Sequence, residues 1–163
     1  MRIGILSDTH DQLARTARAV GLLVDARAEL LIHCGDLTGS DVVRACARLP
    51  SYFVFGNNDY DETRLRRTMT AVEGVCLERG GEIELGGRRI AVTHGDSVRE
   101  MRRLAAGSPD YFLYGHSHVA EDHHDGPTRW INPGALHRAS VWTVALLDLD
   151  TDELSTLTIC DDR

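Results

Sequence analysis

The run IGILSDTH, Ile3 to His10, sets the architecture. Ile3, Ile5 and Leu6 form a strand-length apolar stretch, and Ser7, Asp8, Thr9 and His10 follow it with no spacer. A short continuous apolar run reads as a strand covered on both faces, as in a parallel sheet. The pattern returns in LLIHCGD (Leu30 to Asp36), YFVFGNND (Tyr52 to Asp59), RIAVTHGD (Arg89 to Asp96) and YFLYGHSH (Tyr111 to His118). Each run breaks at Asp, His or Asn, and the last four carry a Gly at the break. Ligands of open α/β sheets bind at the carboxyl ends of the strands. Five such ends therefore point to one shared site, made of Asp8, His10, Asp36, Asn57, His94, His116 and His118.

Outward from these runs, helical spacing fills the gaps. The pattern predicts a helix from about Gln12 to Arg27 with Leu13, Ala17, Val20 and Val24 on one face. A second begins at Ser40 or Asp41 and carries Val42, Cys46 and Leu49; a third spans Glu62 to Ala71, with Leu65, Met69 and Val72 inward. These are βαβ units with parallel strands. The second half turns to hairpins. Glu82 to Leu85 and Arg88 to Thr93 flank Gly86-Gly87, a turn signal. A short helix fits Val98 to Ala105, and strands fit Tyr111 to Tyr114, Thr128 to Ile131, Val141 to Leu149 and Leu154 to Ile159. One domain over residues 1–163, α/β (α+β) with two packed mixed β-sheets and helices outside, explains this order.

Bulk properties exclude several classes. No apolar stretch reaches the length of a membrane span. Met1 leads directly into the first strand, which leaves no room for a targeting peptide and gives the expectation of a cytoplasmic protein. The net charge is −7, and all 18 basic residues are arginine. Such a chain lacks the footprint of a general nucleic-acid binder. The cysteines Cys34, Cys46, Cys76 and Cys160 form no C-x-x-C pair and are expected as free, mostly buried thiols. Edge strands of the second half leave a homo-oligomer open.

His and Asp are the usual ligands of borderline divalent metals. Asp8 and His10, two apart on extended chain, point the same way, as do His116 and His118. Asp36, in the middle of the set, is the choice for a bridging carboxylate between two ions about 3.5–4 Å apart. Thiol ligands are absent from the set, which disfavours structural zinc. Two divalent ions against Asp8 and Asp36 leave a positive spot suited to a phosphate mono- or diester, in a chain whose total would move from −7 to −3.

Here the blocks Asp8-x-His10, Gly35-Asp36, Gly56-Asn57-Asn58-Asp59, His94-Gly95 and Gly115-His116-Ser117-His118 resemble the signature of calcineurin-like metallophosphoesterases. The opening MRIGILSDTHD and Asn132-Pro133-Gly134 resemble their small bacterial and archaeal phosphodiesterase branch. The resemblance implies a four-layer αββα sandwich. It implies one ion on Asp8, His10, Asp36 and His118, and another on Asp36, Asn57, His94 and His116. A metal-bridging hydroxide would then attack phosphorus in line. Manganese is the first expectation, with iron, nickel, cobalt and zinc also suited. The implied substrate is a small phosphate ester, most readily a diester. The alternatives are a phosphomonoesterase or nucleotidase, or a non-catalytic scaffold like the retromer subunit of this fold. Asn58 stands where many relatives carry a His that clamps substrate or serves as general acid. An Asn amide can bind a phosphoryl oxygen but delivers no proton. Asp59 is implied as its support, to orient Asn58 or cap the turn; Asn58, Asp59 and His10 complete the catalytic set.

Other chemistry-bearing residues receive plainer readings. His33 is a strand residue packed below the site, and Cys34 a small buried hydrophobe. His123 and His124 read as a polar hairpin tip, with a substrate-facing or further metal role as the lesser reading, and His137 as a surface loop residue, with an approach to the site as the lesser reading. Arg64, Arg66 and Arg67 read as a solvated helix face, with a phosphate contact as the lesser reading. Asp96 reads as a loop residue or a support beside His94.

Overall fold

The computed structural model describes residues 1–160, so the boundary read at residue 163 lies outside the described residues. The elements run β1 (Arg2–Leu6), α1 (Leu13–Asp25), β2 (Leu30–His33), α2 (Ser40–Cys46), β3 (Ser51–Phe53), α3 (Glu62–Ala71) and β4 (Val75–Cys76). There follow β5 (Gly80–Leu85), β6 (Arg88–Thr93), α4 (Val98–Ala105), β7 (Tyr111–Leu113), β8 (Ala120–Asp125), β9 (Thr128–Pro133), β10 (Trp142–Asp148) and β11 (Glu153–Ile159). One sheet has the order β11-β10-β1-β2-β3-β4 and the other β5-β6-β7-β9-β8. Both are mixed: β1 to β4 pair in parallel, as do β6, β7 and β9, while β10, β11, β5 and β8 join antiparallel.

The strand period of two distributes the apolar residues between layers. From β1 and β2, Ile3, Ile5, Leu30 and Ile32 enter a core with Ile90, Val92, Leu113 and Ile131 of the other sheet. Their neighbours Leu6 and Leu31 face the opposite way, onto Val20 and Leu23 of α1, Val43 of α2 and Met69 of α3. Leu104 of α4 packs with Phe112 on the outer face of the second sheet. The result is four layers, helix–sheet–sheet–helix, as the sequence order implied. The inter-sheet core and the helix-facing core leave β1 and β2 dry on both sides, which is why their sequence is continuous rather than alternating.

Two helices are started by local chemistry. Asp61 caps α3 by accepting from Arg64 N (3.1 Å), and Ser97 caps α4 by accepting from Glu100 N (3.3 Å). The face of α1 differs from expectation. Thr16, Ala19, Val20 and Leu23 are buried, while Leu13 and Ala17 are exposed. Thr16 satisfies its hydroxyl inside the helix, on Gln12 O at 2.9 Å, and so can be buried beside Ala19, Val20 and Leu23. His123 and His124 also need correction. They lie within β8, paired with Trp130 and Arg129 of β9, and the turn falls at Gly126-Pro127. All six residues of β8 are exposed, so no apolar alternation marks it as a strand.

Candidate metal centre

The five ligand-bearing runs end at one edge of the sandwich, where loop hydrogen bonds lock them together. Asp8 N donates to Gly35 O (3.0 Å), His10 N to Asp36 O (3.0 Å) and Gly115 N to His94 O (2.9 Å). His116 N donates to Asp8 Oδ2 (3.0 Å), tying the second sheet to the first. Asn132 holds the His116–His118 loop by donating to Gly115 O (2.9 Å) and Ser117 Oγ (3.0 Å). Two glycines are demanded by close approach. A Cβ on Gly56 would overlap Asp36 Oδ1, and one on Gly115 would overlap Ser7 Oγ. Asp8, His10, Asp36, His116 and His118 all take positive φ, from 42° to 69°. Such left-handed backbone is uncommon outside glycine and concentrates at functional sites.

Donor atoms converge at this edge. Asp8, His10 and His118 bring one donor each to within 4.8 Å of one another, as do Asp8, Asp36 and His94. Asp36 Oδ2 stands 3.3 Å from both His10 Nε2 and His94 Nε2. Asp8 Oδ1 stands 3.1 Å from His118 Nε2, 3.8 Å from His10 Nε2 and 3.9 Å from His94 Nε2. The His116 ring centroid is 5.1 Å from that of His94. Asn57 and His116 are exposed, and Asn57 lies on the turn next to Asn58. Asp8 belongs to both groups of donors, whereas the resemblance gave that shared place to Asp36.

Whether these residues suit a metal is answered by what they leave unpaired. Asp8 Oδ1, His10 Nε2 and His94 Nε2 are buried without a hydrogen bond. Unpaired buried polar atoms are costly and rare in native folds. Here three of them lie at one edge, in the two donor groups that share Asp8, and two divalent cations would satisfy all three. In Asp8 and His94 the other side-chain atom is already fixed. Asp8 Oδ2 accepts from Ser7 Oγ (2.6 Å), and the His94 Nδ1–H donates to Cys34 O (2.8 Å), leaving Nε2 with its lone pair. This is the outer-shell orientation that metal-binding histidines require.

The metal-free electrostatics carry the same message. Beside the Asp36 carboxylate, and then that of Asp8, His10 is raised to about 9. Burial acts to lower His94, but Asp36 and Asp8 outweigh it and its pKa is raised. Burial likewise acts against ionisation of Asp8 and Asp36, yet the histidines hold both carboxylates below their ordinary value. Burial lowers His33 to about 3, so it is neutral. It accepts from Gly35 N (3.2 Å) on Nδ1 and donates from Nε2 to Thr9 Oγ1 (3.1 Å), a buried brace below the site, as expected. Burial pushes the Cys34 thiol well above its ordinary range, so it stays protonated. Cys34 and Cys46 are buried, Cys76 is half-buried and Cys160 exposed.

Asp59, left open between two roles, accepts from Asp36 N (2.9 Å), Thr38 N (2.7 Å) and Gly56 N (2.8 Å). It thus fixes the backbone beneath Asp36. Asn58 turns inward: its N donates to Asp36 Oδ1 (2.8 Å) and its amide to Asp36 Oδ2 (2.8 Å). His137 is not a remote surface residue. It is half-buried, with its ring centroid 4.8 Å from that of His10. Nothing periodic marks it, because an irregular turn after Asn132-Pro133-Gly134 brings it there. Arg64 donates to Ser40 Oγ (3.0 Å) and Arg66 pairs with Glu78, so two of the three helix arginines are engaged in structure. Asp96 is exposed.

Residues 1–152 match the model of the calcineurin-like phosphoesterase superfamily domain. The chain is 30% identical over 160 residues to the phosphodiesterase MJ0936 of Methanocaldococcus jannaschii, covering 94% of this chain and 96% of that one. Among solved structures, an archaeal phosphodiesterase superposes with a TM-score of 0.88 at 27% identity, over 98% of this chain and 100% of that chain. Vps29 of Entamoeba histolytica, complexed with zinc, shares the fold at a TM-score of 0.67 and 19% identity, over 100% and 95% of the two chains.

Proposed function

The chain belongs to the calcineurin-like phosphoesterase superfamily, and from that membership we propose that it is a binuclear metal-dependent phosphodiesterase acting on small phosphate esters. The observation that carries the reading is the three buried, unpaired donor atoms of Asp8, His10 and His94, spread over two donor groups that share Asp8. In this reading Asp8, His10, Asp36 and His118 hold one ion, and Asp36, Asn57, His94 and His116 the other, within one metallophosphoesterase domain. Bound there, two divalent ions, manganese first, supply a nucleophilic water and neutralise phosphoryl oxygens. Likeness to a named phosphodiesterase favours diesters over monoesters.

The chain's own residues divide the remaining work. Asp59 and the glycine at 56 hold Asp36 in place, and His33 braces the β2 loop through Thr9. Asn58 lies beside Asp36 with an amide able to donate to a phosphoryl oxygen. It carries no proton for the leaving group. Since general acid help is worth roughly 10²–10⁴-fold, esters with good leaving groups are the favoured substrates.

Chelator-stripped protein, with single metals added back, tests this against bis-p-nitrophenyl phosphate and p-nitrophenyl phosphate. Metal-restored hydrolysis with diester preference is the expected result. Monoester preference would make it a phosphatase. Two bound ions with no hydrolysis of either ester would overturn the catalytic reading in favour of a scaffold.

A further inference from the structure

Tyr60 has 86% of its surface in water, the largest value among the exposed bulky apolar and aromatic residues described. Its position is nevertheless fixed. The hydroxyl donates to Asn58 Oδ1 (3.1 Å), and the Asn58 amide donates to Asp36 Oδ2 (2.8 Å). The ring therefore stands two hydrogen bonds from the middle of the metal centre with its faces open. Neighbouring segments add to this. Leu13, Val98, Val119 and Val141 are also exposed, and each follows His10, His94, His118 or His137 within four residues. The segments that follow the ligand-bearing runs, loops at Val119 and Val141 and helix starts at Leu13 and Val98, thus present apolar side chains to water.

We propose that Tyr60 is the stacking platform for a planar aromatic group, of the nucleobase kind, carried by the phosphoester bound at the centre. The inference rests on the phosphoester reading above and names the other half of that substrate. An exposed ring offers its face to a partner ring at little desolvation cost, and aromatic pairs gain beyond their buried area. The tether through Asn58 removes rotamer freedom before binding, so less entropy is lost on stacking. Stacking is tolerant of base identity because every base has a π-face. Tyr60 therefore selects aromatic esters over alkyl esters, and not one base over another.

Calorimetric titration of the manganese-loaded protein with phosphate, ribose 5-phosphate and adenosine 5′-monophosphate tests this. Wild-type protein should bind the nucleotide more tightly than ribose 5-phosphate. Tyr60→Ala should weaken nucleotide binding by roughly 5- to 150-fold, the range for losing one stacked base, and leave the other two probes unchanged. Tyr60→Phe, which keeps the ring and loses the tether, should fall between. A side chain this exposed should leave thermal melting unaffected, so folding does not confound the comparison. A nucleotide bound no more tightly than ribose 5-phosphate, or equal losses for all three probes, would overturn the proposal and leave the phosphoester reading standing. A loaded protein that neither binds phosphate nor hydrolyses any ester would overturn both.

Discussion

Metal affinity at this site should rise steeply with pH, and His10 sets the size of the effect. In the metal-free protein Asp36 and Asp8 hold the His10 proton up to about 9, against about 6.5 for a free histidine. A ligating imidazole must give up that proton, so below its pKa each such group raises the apparent affinity about tenfold per pH unit. From about pH 6 to about pH 8 the gain is about a hundredfold for His10 alone. His94, also raised, adds to the slope, whereas Asp8 and Asp36, both lowered, are already ionised. Stability of the stripped protein runs the other way. A histidine with a raised folded pKa contributes fully below its unfolded value, and that contribution is lost as pH climbs through the folded one. The melting temperature of stripped protein should therefore fall between about pH 6.5 and about pH 9, while the increment from added manganese grows. Titration of manganese in two buffers of different ionisation enthalpy counts the protons released. An affinity flat across this range, with no proton released, would refute the assignment of His10 as a ligand.

Further changes probe the rest of the site and fold. Asp36→Asn should abolish metal-dependent hydrolysis, a larger loss than the roughly 10–100-fold typical of a supporting residue, and full activity would defeat the bridging role. Gly56→Ala places a Cβ against Asp36 Oδ1 and should lower metal affinity by roughly 10–100-fold in a calorimetric titration. Asn58→His should raise turnover, most for diesters with poor leaving groups; unchanged rates across a leaving-group series would mean that position 58 does not reach the leaving group. Phe53→Ala empties a fully buried position between β3 and the helices and should cost about 3–5 kcal/mol in urea denaturation.

How far the sequence reveals this molecule depends on where each signal resides. Strands covered on both faces must be apolar throughout, so β1 and β2 announce themselves, and a polar break after such a run marks the carboxyl edge of a sheet. That made the collection of Asp8, Asp36 and His94 at one edge legible. β8 was not legible, because Ala120 to Asp125 is held by backbone pairing to β9 and buries no side chain that would give a period. The face of α1 was misjudged because Thr16 hides its hydroxyl on the helix itself while Leu13 sits in water. His137 and Tyr60 reach the site through irregular loops, whose geometry follows from tertiary hydrogen bonds and not from spacing.

The same geometry weighs between catalysis and scaffolding. A structural metal site closes its ion inside four protein ligands, whereas a catalytic site keeps a position open. On the inner side of this centre Asp8, Asp36 and His94 are buried. On its outer side His10 and His118 are partly exposed, and His116 and Asn57 are exposed. Any ion held there would face water on one side, where a phosphoryl group can enter. A scaffold has no need of that asymmetry, nor of left-handed backbone at Asp8, His10, Asp36, His116 and His118. Strain of this kind, of order 1–3 kcal/mol at a residue, persists only where the surroundings over-determine it. Here the surroundings are Asp59, Asn132, His33 and two crowded glycines, a large share of the carboxyl edge given to aiming a few donor atoms outward. Retention of metal alone would not separate the two readings, because the Vps29 fold is also seen with zinc. An open coordination side would separate them, since competition by phosphate for the loaded centre requires it and a closed structural ion forbids it.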